Sequence, residues 1–412
     1  MKSSRKIIAF ITGMAAAFSC GACTGGGSSS DTPKKKLAPI EDLADYSAYS
    51  LKTWLKPFWY TREVYNETVM FVGENDEAKL LYDAEDIISV TSYGLDVEYK
   101  KGEDYKYENG ILSRTENSSI PFWNKDEYYL KTPGRYIITV DNEKAGLPDG
   151  DVRYLAYGEQ DTFTKKQIAV TYTHSQEWKG PVPQGKSEKF VKTLEKIKNG
   201  EKTRVLFYGD SITTGCNASG LPQGGEISPY TPSFAKMFCD YLGEKYNNDK
   251  IELINTAVGG KAVSWGVSEI EDRVLGYSPD IVVIGFGMND VKTSPDVFKN
   301  STELMVKAIK KKNPDAEIML IATMLPNYEA TSDWNYNQKL FVPKLLELEE
   351  KYGFVGVANV TEMHQALFDA GKRYRDVTGN NINHPNDFVV RLYAQVLLKT
   401  MLGTDFINEV FE

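Results

Sequence analysis

Two residues of this sequence have the type and the surroundings that nucleophilic catalysis requires. Ser211 lies in "GDSITTG", directly after a short apolar run, and His384 lies in "NNINHPND", ahead of a long apolar helix pattern. A serine hydroxyl attacks an acyl group only when a base accepts its proton, and histidine is the usual base near neutral pH. A serine before a helix more often acts as a cap or turn residue, so this pair is a hypothesis that needs further residues.

Two other stretches offer hydrogen-bond donors. Gly259 and Gly260 in "NTAVGGKAVSWG" permit close approach of the backbone, and Asn289 in "GFGMND" carries a side-chain amide. Preset N–H donors stabilise the oxyanion that forms during acyl transfer. Taken alone, each stretch is equally well explained as a turn, and Asp290 fits a structural hydrogen bond or a helix cap better than catalysis.

The group that orients His384 is the open question. Asn381, three residues upstream, stands where a carboxylate is expected; its carbonyl oxygen can accept the Nδ1–H bond but brings no charge. Asp376 in "YRDVTGN" is the nearest spare carboxylate, whereas Asp387 is expected to cap the final helix. The sequence therefore predicts a histidine oriented by a neutral group or by an acid from elsewhere.

Buried strands must position these residues. Five are predicted, in "RVLFYG", "IELINTAV", "DIVVIGFG", "AEIMLIATM" and "GFVGVANV", with helical stretches between them. That alternation is typical of βαβ units and a parallel sheet. Ligands bind at the carboxyl ends of the strands in such sheets, and Ser211, Gly260 and Asn289 each follow a strand. We expect them to meet at one edge of the sheet.

In order and spacing over residues 203–403, the four stretches resemble the four sequence blocks of the SGNH (GDSL-type) hydrolases, esterases with a flavodoxin-like sheet. The resemblance implies that Ser211 is the nucleophile and His384 the base. It also implies that Gly260 and Asn289 are oxyanion donors. The family's usual final block is Asp-x-x-His, and here Asn381 replaces the aspartate. Some two-domain carbohydrate esterases of this superfamily use a Ser–His dyad with a backbone carbonyl in place of the acid, and they too carry a β-sandwich before the SGNH domain.

The region before the predicted parallel sheet has a different pattern. Over residues 45–178 the apolar residues alternate with period two, as in "RYIITV" and "QIAVTY", and turn sequences separate the runs. This predicts an all-β sandwich or jelly-roll domain. Residues 179–202 are predicted to form a linker and a helix, and residues 203–412 the SGNH hydrolase domain.

The N-terminus reads as a lipoprotein-type signal over residues 1–22. Basic residues precede the apolar run "IIAFITGMAAAFS", which is short for a membrane-spanning helix, and Cys20 follows as the expected acylation site, with Cys23 as a second candidate. Residues 23–44 form a Gly/Ser/Lys tether. We expect an envelope protein, an outer-membrane lipoprotein that faces the periplasm or the exterior and contacts the membrane through its lipid anchor only. Plain secretion is the alternative.

Composition narrows the function classes. The net charge of −9 argues against a nucleic-acid partner, which requires a basic face. The three histidines, at positions 174, 364 and 384, show no close ligand spacing, so no metal or other cofactor is predicted. Cys216 and Cys239 are expected to be buried free thiols.

These observations predict a serine esterase that removes acyl groups, acetyl foremost, from polysaccharide or oligosaccharide. Trp265, Trp334 and Tyr230 are candidates to stack on sugar rings, with core packing as the alternative reading. A lipid or thioester acylhydrolase is the alternative within the same class. A non-catalytic carbohydrate-binding lipoprotein is the alternative from another class, and the joint presence of the four block residues favours an enzyme over it.

Overall fold

The structure, a computed structural model, describes residues 51–331 and 337–406. The predictions made for Cys20, Cys23 and Trp334 lie outside the described residues. No helix within the described ranges is long and apolar enough to cross a membrane. Cys216 and Cys239 are both buried thiols, and within the described residues neither forms a disulfide, as expected.

The N-terminal region consists of short antiparallel sheets, which confirms the all-β prediction. Three-stranded sheets form in the orders β1-β8-β3 and β2-β5-β4, and β6 pairs with β7. Three single-turn helices accompany them. The strands are β1 (Glu63–Met70), β2 (Glu77–Lys79), β3 (Asp86–Ser92), β4 (Tyr105–Glu108), β5 (Ile111–Arg114), β6 (Tyr129–Leu130), β7 (Tyr154–Leu155) and β8 (Gln167–Thr173), and the helices are α1 (Leu51–Trp54), α2 (Lys125–Tyr128) and α3 (Asn142–Ala145).

Two segments of the N-terminal region with the same alternating pattern differ in structure. "QIAVTY" lies in β8, the central strand of its sheet, and its side chains are buried on both faces. "RYIITV" was expected to be a strand and forms only isolated bridges, of Thr139 with Tyr154 and of Val140 with Ala330. The prediction of a full strand is wrong because the backbone of this segment bonds in part to a loop of the C-terminal region, where Thr331 donates its N–H to Thr139.

The C-terminal region is an α/β fold built on a five-stranded parallel sheet, as predicted. The strands are β9 (Thr203–Gly209), β10 (Ile251–Asn255), β11 (Ile281–Gly285), β12 (Glu317–Ala322) and β13 (Val355–Asn359). Their order in the sheet is β10-β9-β11-β12-β13, the flavodoxin-like 2-1-3-4-5 arrangement. The sheet therefore places the segments that follow β10 and β11 on either side of the segment that follows β9.

Nine helices of the described part accompany this sheet. They are α4 (Val191–Lys198), α5 (Ser211–Thr214), α6 (Phe234–Tyr246), α7 (Val263–Ser268), α8 (Ile270–Arg273), α9 (Pro295–Lys312), α10 (Gln338–Lys351), α11 (Val360–Asp369) and α12 (Asp387–Leu402). Short 3-10 turns are found at Thr164–Lys166, Ser187–Lys189, Pro222–Gly224, Leu275–Tyr277, Tyr374–Asp376 and Gly403–Phe406.

Helix α12 joins the two regions. All sixteen of its residues are buried, as expected for a helix that is covered on every side. Arg391 donates to the carbonyl oxygens of Tyr65 and Asn66 in the N-terminal region, both at 3.0 Å. The prediction that Asp387 caps this helix is wrong: Asn386 is the N-cap and accepts the N–H of Val389 at 3.3 Å. The Asp387 carboxylate instead accepts the N–H of Ser219.

The two regions share one hydrophobic cluster, which includes Val90 and Val170 of the N-terminal sheets and Leu392 and Val396 of α12. A fully buried ion pair, Lys372 with Glu67 at 2.6 Å, crosses the same junction. Because the core is continuous, the domain boundaries at residues 178 and 203 stay predictions.

Candidate active site

Ser211 lies at the carboxyl end of β9, where the strand turns into α5. Asp210 caps this turn by accepting the N–H of Ile212 at 3.0 Å, and its own N–H donates to the carbonyl of Gly285 in the neighbouring strand. Burial raises the pKa of Asp210 to about 7. Ser211 is 2% exposed, so the serine is held by a capped turn inside the structure.

The loop between residues 377 and 386 holds His384 through its own hydrogen bonds. The Oδ1 atom of Asn380 accepts the N–H groups of Ile382, Asn383 and His384, each at 3.0 Å. The carbonyl of His384 in turn accepts the N–H of Gly379 at 3.0 Å. One asparagine side chain therefore organises the turn that presents the histidine.

The serine and the histidine meet as the sequence predicted. The Nε2 atom of His384 lies 2.9 Å from Oγ of Ser211, and the Nδ1 atom lies 2.7 Å from Oδ1 of Asn217. Since a carboxamide oxygen only accepts hydrogen bonds, Nδ1 carries the proton in this arrangement. The lone pair of Nε2 is then directed at the Ser211 hydroxyl, the geometry that a general base requires.

Asn217 is one of two site residues that sequence reasoning missed. It lies six residues after Ser211, with a left-handed φ of 65° that asparagine tolerates well. The histidine loop approaches it closely, because a Cβ at Gly379 would lie 2.5 Å from Cβ of Asn217 and 2.6 Å from the Pro385 carbonyl oxygen. Only glycine fits there, and this close approach is what brings Asn217 within reach of the imidazole.

Asn381 does not orient His384, and that prediction is wrong. Its Oδ1 accepts the Tyr128 hydroxyl at 2.6 Å, and its Nδ2 donates to the Ala156 carbonyl at 3.0 Å. Its φ of 71° turns the side chain away from the ring and toward the N-terminal region. Asn381 therefore fastens the histidine loop to that region.

Asp376 does not orient the histidine either. Its Oδ1 accepts the N–H of Met70 at 2.9 Å, and both of its oxygens bind the Arg373 guanidinium. Burial alone would raise the pKa of Asp376, but the positive charges of Arg373 and Lys372 hold it well below its usual range. Asp376 is thus an ionised carboxylate that anchors β1 to the C-terminal region.

The two predicted oxyanion donors flank Ser211. The segment with Gly260 follows β10 and the segment with Asn289 follows β11, and these strands are the two neighbours of β9. Nδ2 of Asn289 donates to the Lys261 carbonyl at 3.2 Å, and both oxygens of Asp290 accept the N–H of Val263 at 3.1 Å. These bonds tie the two segments together at the sheet edge that carries the serine. The roles of Gly260 and Asn289 as donors stay predictions.

The aromatic candidates have mixed surroundings. Trp265 is half-buried and lies beside the Arg273 guanidinium, whose carbon is 4.8 Å from a ring centroid, and beside Tyr208 at 5.9 Å. These contacts agree with a packing role. Tyr230 is 43% exposed and belongs to a loop that Ser228 fastens to the Gly94 carbonyl at 2.6 Å. Sugar stacking by either residue stays a prediction.

The other two histidines have different partners. Nδ1 of His364 accepts the N–H of Leu325 at 3.2 Å, and burial lowers the pKa of His364 to about 3. His174 stacks on Tyr82 with the ring centroids 3.6 Å apart. Within residues 51–331 and 337–406, no group of three or more His, Cys, Asp or Glu side chains could hold a metal ion.

Glu159 is the second residue that sequence reasoning missed. It belongs to the N-terminal region, and its Oε2 lies 3.5 Å from Nδ1 of His384. Its Oε1 accepts the hydroxyl of Tyr157, and also Nδ2 of Asn380 at 3.3 Å. Burial would raise the pKa of Glu159, but the charge of His384 and the hydrogen bonds from His384, Tyr157 and Asn380 together outweigh it and lower the pKa to about 2. Nothing in the local sequence, "YGEQD", marks this glutamate.

Comparison with known proteins identifies the region that carries this site. The model of the GDSL-like lipase/acylhydrolase family matches residues 207–389, which include Ser211, Asn217, Asn289 and His384. This region is a GDSL-like domain. The resemblance that the four sequence blocks suggested is thereby confirmed for the part of the chain that holds the serine and the histidine.

The proteins to which this chain is similar include esterases of acetylated carbohydrates. An acetylxylan esterase of Xylanibacter ruminicola is 24% identical over 143 residues, which are 30% of this chain and 28% of the relative. The chain thus matches less than a third of that curated relative's length. Among solved structures, a two-domain esterase active on acetylated mannans is 20% identical with a TM-score of 0.42 and covers 55% of each chain. The acetyl xylan esterase AlAXEase is 21% identical with a TM-score of 0.39, over 48% of this chain and 98% of its own.

Proposed function

We propose that this protein is a serine esterase that removes acetyl groups from polysaccharide or oligosaccharide. The observation that carries the proposal is the hydrogen-bonded chain from Ser211 Oγ to His384 Nε2 and from His384 Nδ1 to Asn217 Oδ1, at 2.9 and 2.7 Å. A hydroxyl in this arrangement attacks an ester carbonyl while the imidazole takes its proton.

The proposed reaction has two halves. Ser211 Oγ bonds to the carbonyl carbon, its proton moves to Nε2, and the oxyanion accepts hydrogen bonds from the Ser211 and Gly260 N–H groups and from Nδ2 of Asn289. The imidazolium then protonates the sugar oxygen that leaves, and an acyl-serine remains. A water molecule, deprotonated by Nε2, hydrolyses that ester and restores the enzyme.

The carbohydrate part of the proposal is supported by the acetylxylan esterase relative and by the polarity of the site. Asn217, Asn380 and Glu159 lie against the histidine or its loop, and polar surroundings of this kind suit a hydroxyl-rich leaving group. A lipid acylhydrolase, the alternative in the same class, needs an apolar groove for its acyl chain. A carbohydrate-binding protein without activity has no use for a base hydrogen-bonded to a buried serine.

We also propose that the protein is anchored in the cell envelope through acylated Cys20, with Cys23 as the alternative site. The basic residues and the apolar run before Cys20 support this proposal. If it holds, wild-type protein partitions into detergent and Cys20→Ala does not. Recovery of unanchored wild-type protein from its native host would contradict it.

The experiment that tests the activity measures acetate released from acetylated xylan, mannan and pectin. Ser211→Ala serves as the matched control because it removes a single oxygen. Acetate release by wild type and none by Ser211→Ala supports the proposal. Tight polysaccharide binding without acetate release would support the non-catalytic alternative, and cleavage of long-chain lipid esters alone would support the lipid acylhydrolase.

A further inference from the structure

We infer that Glu159, from the N-terminal β region, supplies the negative charge that the histidine block lacks and stabilises the His384 imidazolium during catalysis. Asn217 makes the direct hydrogen bond to Nδ1, and Glu159 provides the charge beside it. Glu159 is thus a positioning residue that acts through His384. This inference rests on the proposed esterase function and adds to it a role for the first region of the chain.

The geometry places the carboxylate at the ring nitrogen that faces away from the serine. Oε2 of Glu159 is buried, lies 3.5 Å from Nδ1, and makes no other hydrogen bond among the described residues. That distance is long for a hydrogen bond, and the close acceptor at 2.7 Å is Asn217. A charge acts over longer distances than a hydrogen bond, and an opposite charge within about 4–6 Å typically shifts a pKa by 1–3 units.

The other carboxylate oxygen is fixed, which aims Oε2 at the ring. Oε1 accepts the Tyr157 hydroxyl and Nδ2 of Asn380. Asn380 is also the residue whose Oδ1 accepts the His384 N–H at 3.0 Å. The same asparagine therefore positions both the histidine backbone and the carboxylate that faces its ring.

The loop that carries Glu159 is fastened on both sides. Gln160 donates its N–H to the Gln223 carbonyl at 3.0 Å, in the loop that follows α5. Ala156 accepts Nδ2 of Asn381 at 3.0 Å, in the histidine loop. Thr162 closes the turn by donating its hydroxyl to the Glu159 carbonyl at 2.7 Å. These contacts hold the loop between the two segments that supply Asn217 and His384.

Glu159 and Asp210 both interact electrostatically with His384. Burial raises the pKa of Asp210 to about 7, so this carboxyl is partly neutral near neutral pH, and it serves to cap the serine turn. The pKa of Glu159 is lowered to about 2, with the charge of His384 as the largest lowering cause, so the carboxylate is ionised when the imidazolium is present. Of the two, Glu159 is the negative charge that faces the imidazolium.

The proton path remains that of the proposed reaction. The proton moves from Ser211 Oγ to Nε2 and then to the leaving oxygen, while Nδ1 keeps its proton and Glu159 stays ionised throughout. The carboxylate lowers the energy of the imidazolium that exists only between these two transfers. Its removal should therefore reduce kcat more than it changes KM.

The test measures kcat/KM against pH for an activated acetyl ester with wild type, Glu159→Gln and Glu159→Asp. Without the carboxylate the imidazolium loses its proton more readily, so the acid limb of the profile should move to lower pH by about one unit. The plateau should fall about tenfold, since one pKa unit corresponds to a factor of ten. Glu159→Asp keeps the charge but withdraws it by one methylene, and its limb should lie between the other two.

A rescue variant and a matched control separate charge from structure. Glu159→Gln combined with Asn217→Asp places a carboxylate at the direct contact with Nδ1 and should return the acid limb toward higher pH. Tyr128→Phe alters another contact between the same region and the histidine loop without changing a charge, and should leave the limb in place.

The outcomes distinguish this inference from the proposed function. If Glu159→Gln is active and its pH profile has the same acid limb as that of wild type, the role of Glu159 is overturned and the proposed esterase function still stands. If Glu159→Gln does not fold, an unmoved limb in Glu159→Asp overturns it. Absence of any hydrolysis by wild type would instead contradict the proposed function itself.

Discussion

The two regions of this molecule contribute to the histidine in different ways. In the proposed mechanism the α/β region supplies the atoms that react, because Ser211 and His384 both lie on segments at the carboxyl edge of one parallel sheet. The N-terminal β region contributes no reacting atom. It contacts the loop of His384 from outside, through Tyr128, Ala156 and Glu159. In the proposed mechanism the α/β region thus determines the chemistry, and the N-terminal β region determines how firmly and in what charge environment the base is held.

The largest effect should come from the reacting pair. Ser211→Ala and His384→Ala should each lower kcat/KM for an activated acetyl ester by roughly 10⁴-fold or more, because nucleophile and base act as one unit. The double variant should be no worse than either single one. Ser211→Ala should keep the thermal unfolding temperature of wild type, measured by calorimetry. Activity near wild type in either variant would remove that residue from the mechanism.

The next effect concerns the oxyanion. Asn289→Ala should lower kcat by about 10²–10³-fold with little change in KM, since a preset donor acts mainly on the transition state. Steady-state kinetics with the same ester checks this. Because Nδ2 of Asn289 also bonds to the Lys261 carbonyl, circular dichroism must show an intact fold. An unchanged kcat in folded Asn289→Ala would exclude it as a donor.

Asn217→Ala should lower kcat/KM by a smaller factor than the loss of Ser211 or His384. A hydrogen bond to a charged group is worth about 1.5–3 kcal/mol, which corresponds to roughly a 10- to 150-fold loss in kcat/KM. Asn217→Asp is the matched comparison, since it keeps the acceptor and adds a charge. If Asn217→Ala were as active as wild type, the acceptor at Nδ1 would not be Asn217.

The smallest effect on activity should come from Asn381, which the structure places at the junction between the two regions. Asn381→Ala leaves the buried Tyr128 hydroxyl without its acceptor and should cost about 1–3 kcal/mol in the free energy of unfolding. Tyr128→Phe removes the hydroxyl itself, so no buried donor is left without an acceptor, and it should cost less. Chemical denaturation measures both. A loss of activity in folded Asn381→Ala as large as that of His384→Ala would contradict the assignment of Asn381 to the junction.

The sequence predicted the residues of the site that follow strands. Ser211, Gly260 and Asn289 come directly after apolar runs, and the rule that parallel strands end at one edge brings them together. The parallel sheet followed from the alternation of strands and helices, and its flavodoxin-like arrangement from the family resemblance. Both sources of information are local in the sequence, which is why this part of the prediction succeeded.

The partner of the histidine was not predictable in the same way. Asn381 has the spacing of the family's acid, but its left-handed backbone turns the side chain toward Tyr128. Asn217 reaches the ring because Gly379 allows two loops to touch, and Glu159 is separated from His384 by most of the chain. Contacts of this kind depend on how separate segments pack, and no periodicity in the sequence records them.

The measurement that tests the central claim most directly is intact-mass spectrometry after reaction with an uncharged fluorophosphonate, followed by peptide mapping. A serine activated by His384 forms one covalent adduct, so the account predicts a single modification on Ser211. His384→Ala should react at least about 10²-fold more slowly, because the base no longer takes the hydroxyl proton. A modification on another residue, or equal rates in wild type and His384→Ala, would contradict the claim that Ser211 and His384 form the catalytic pair.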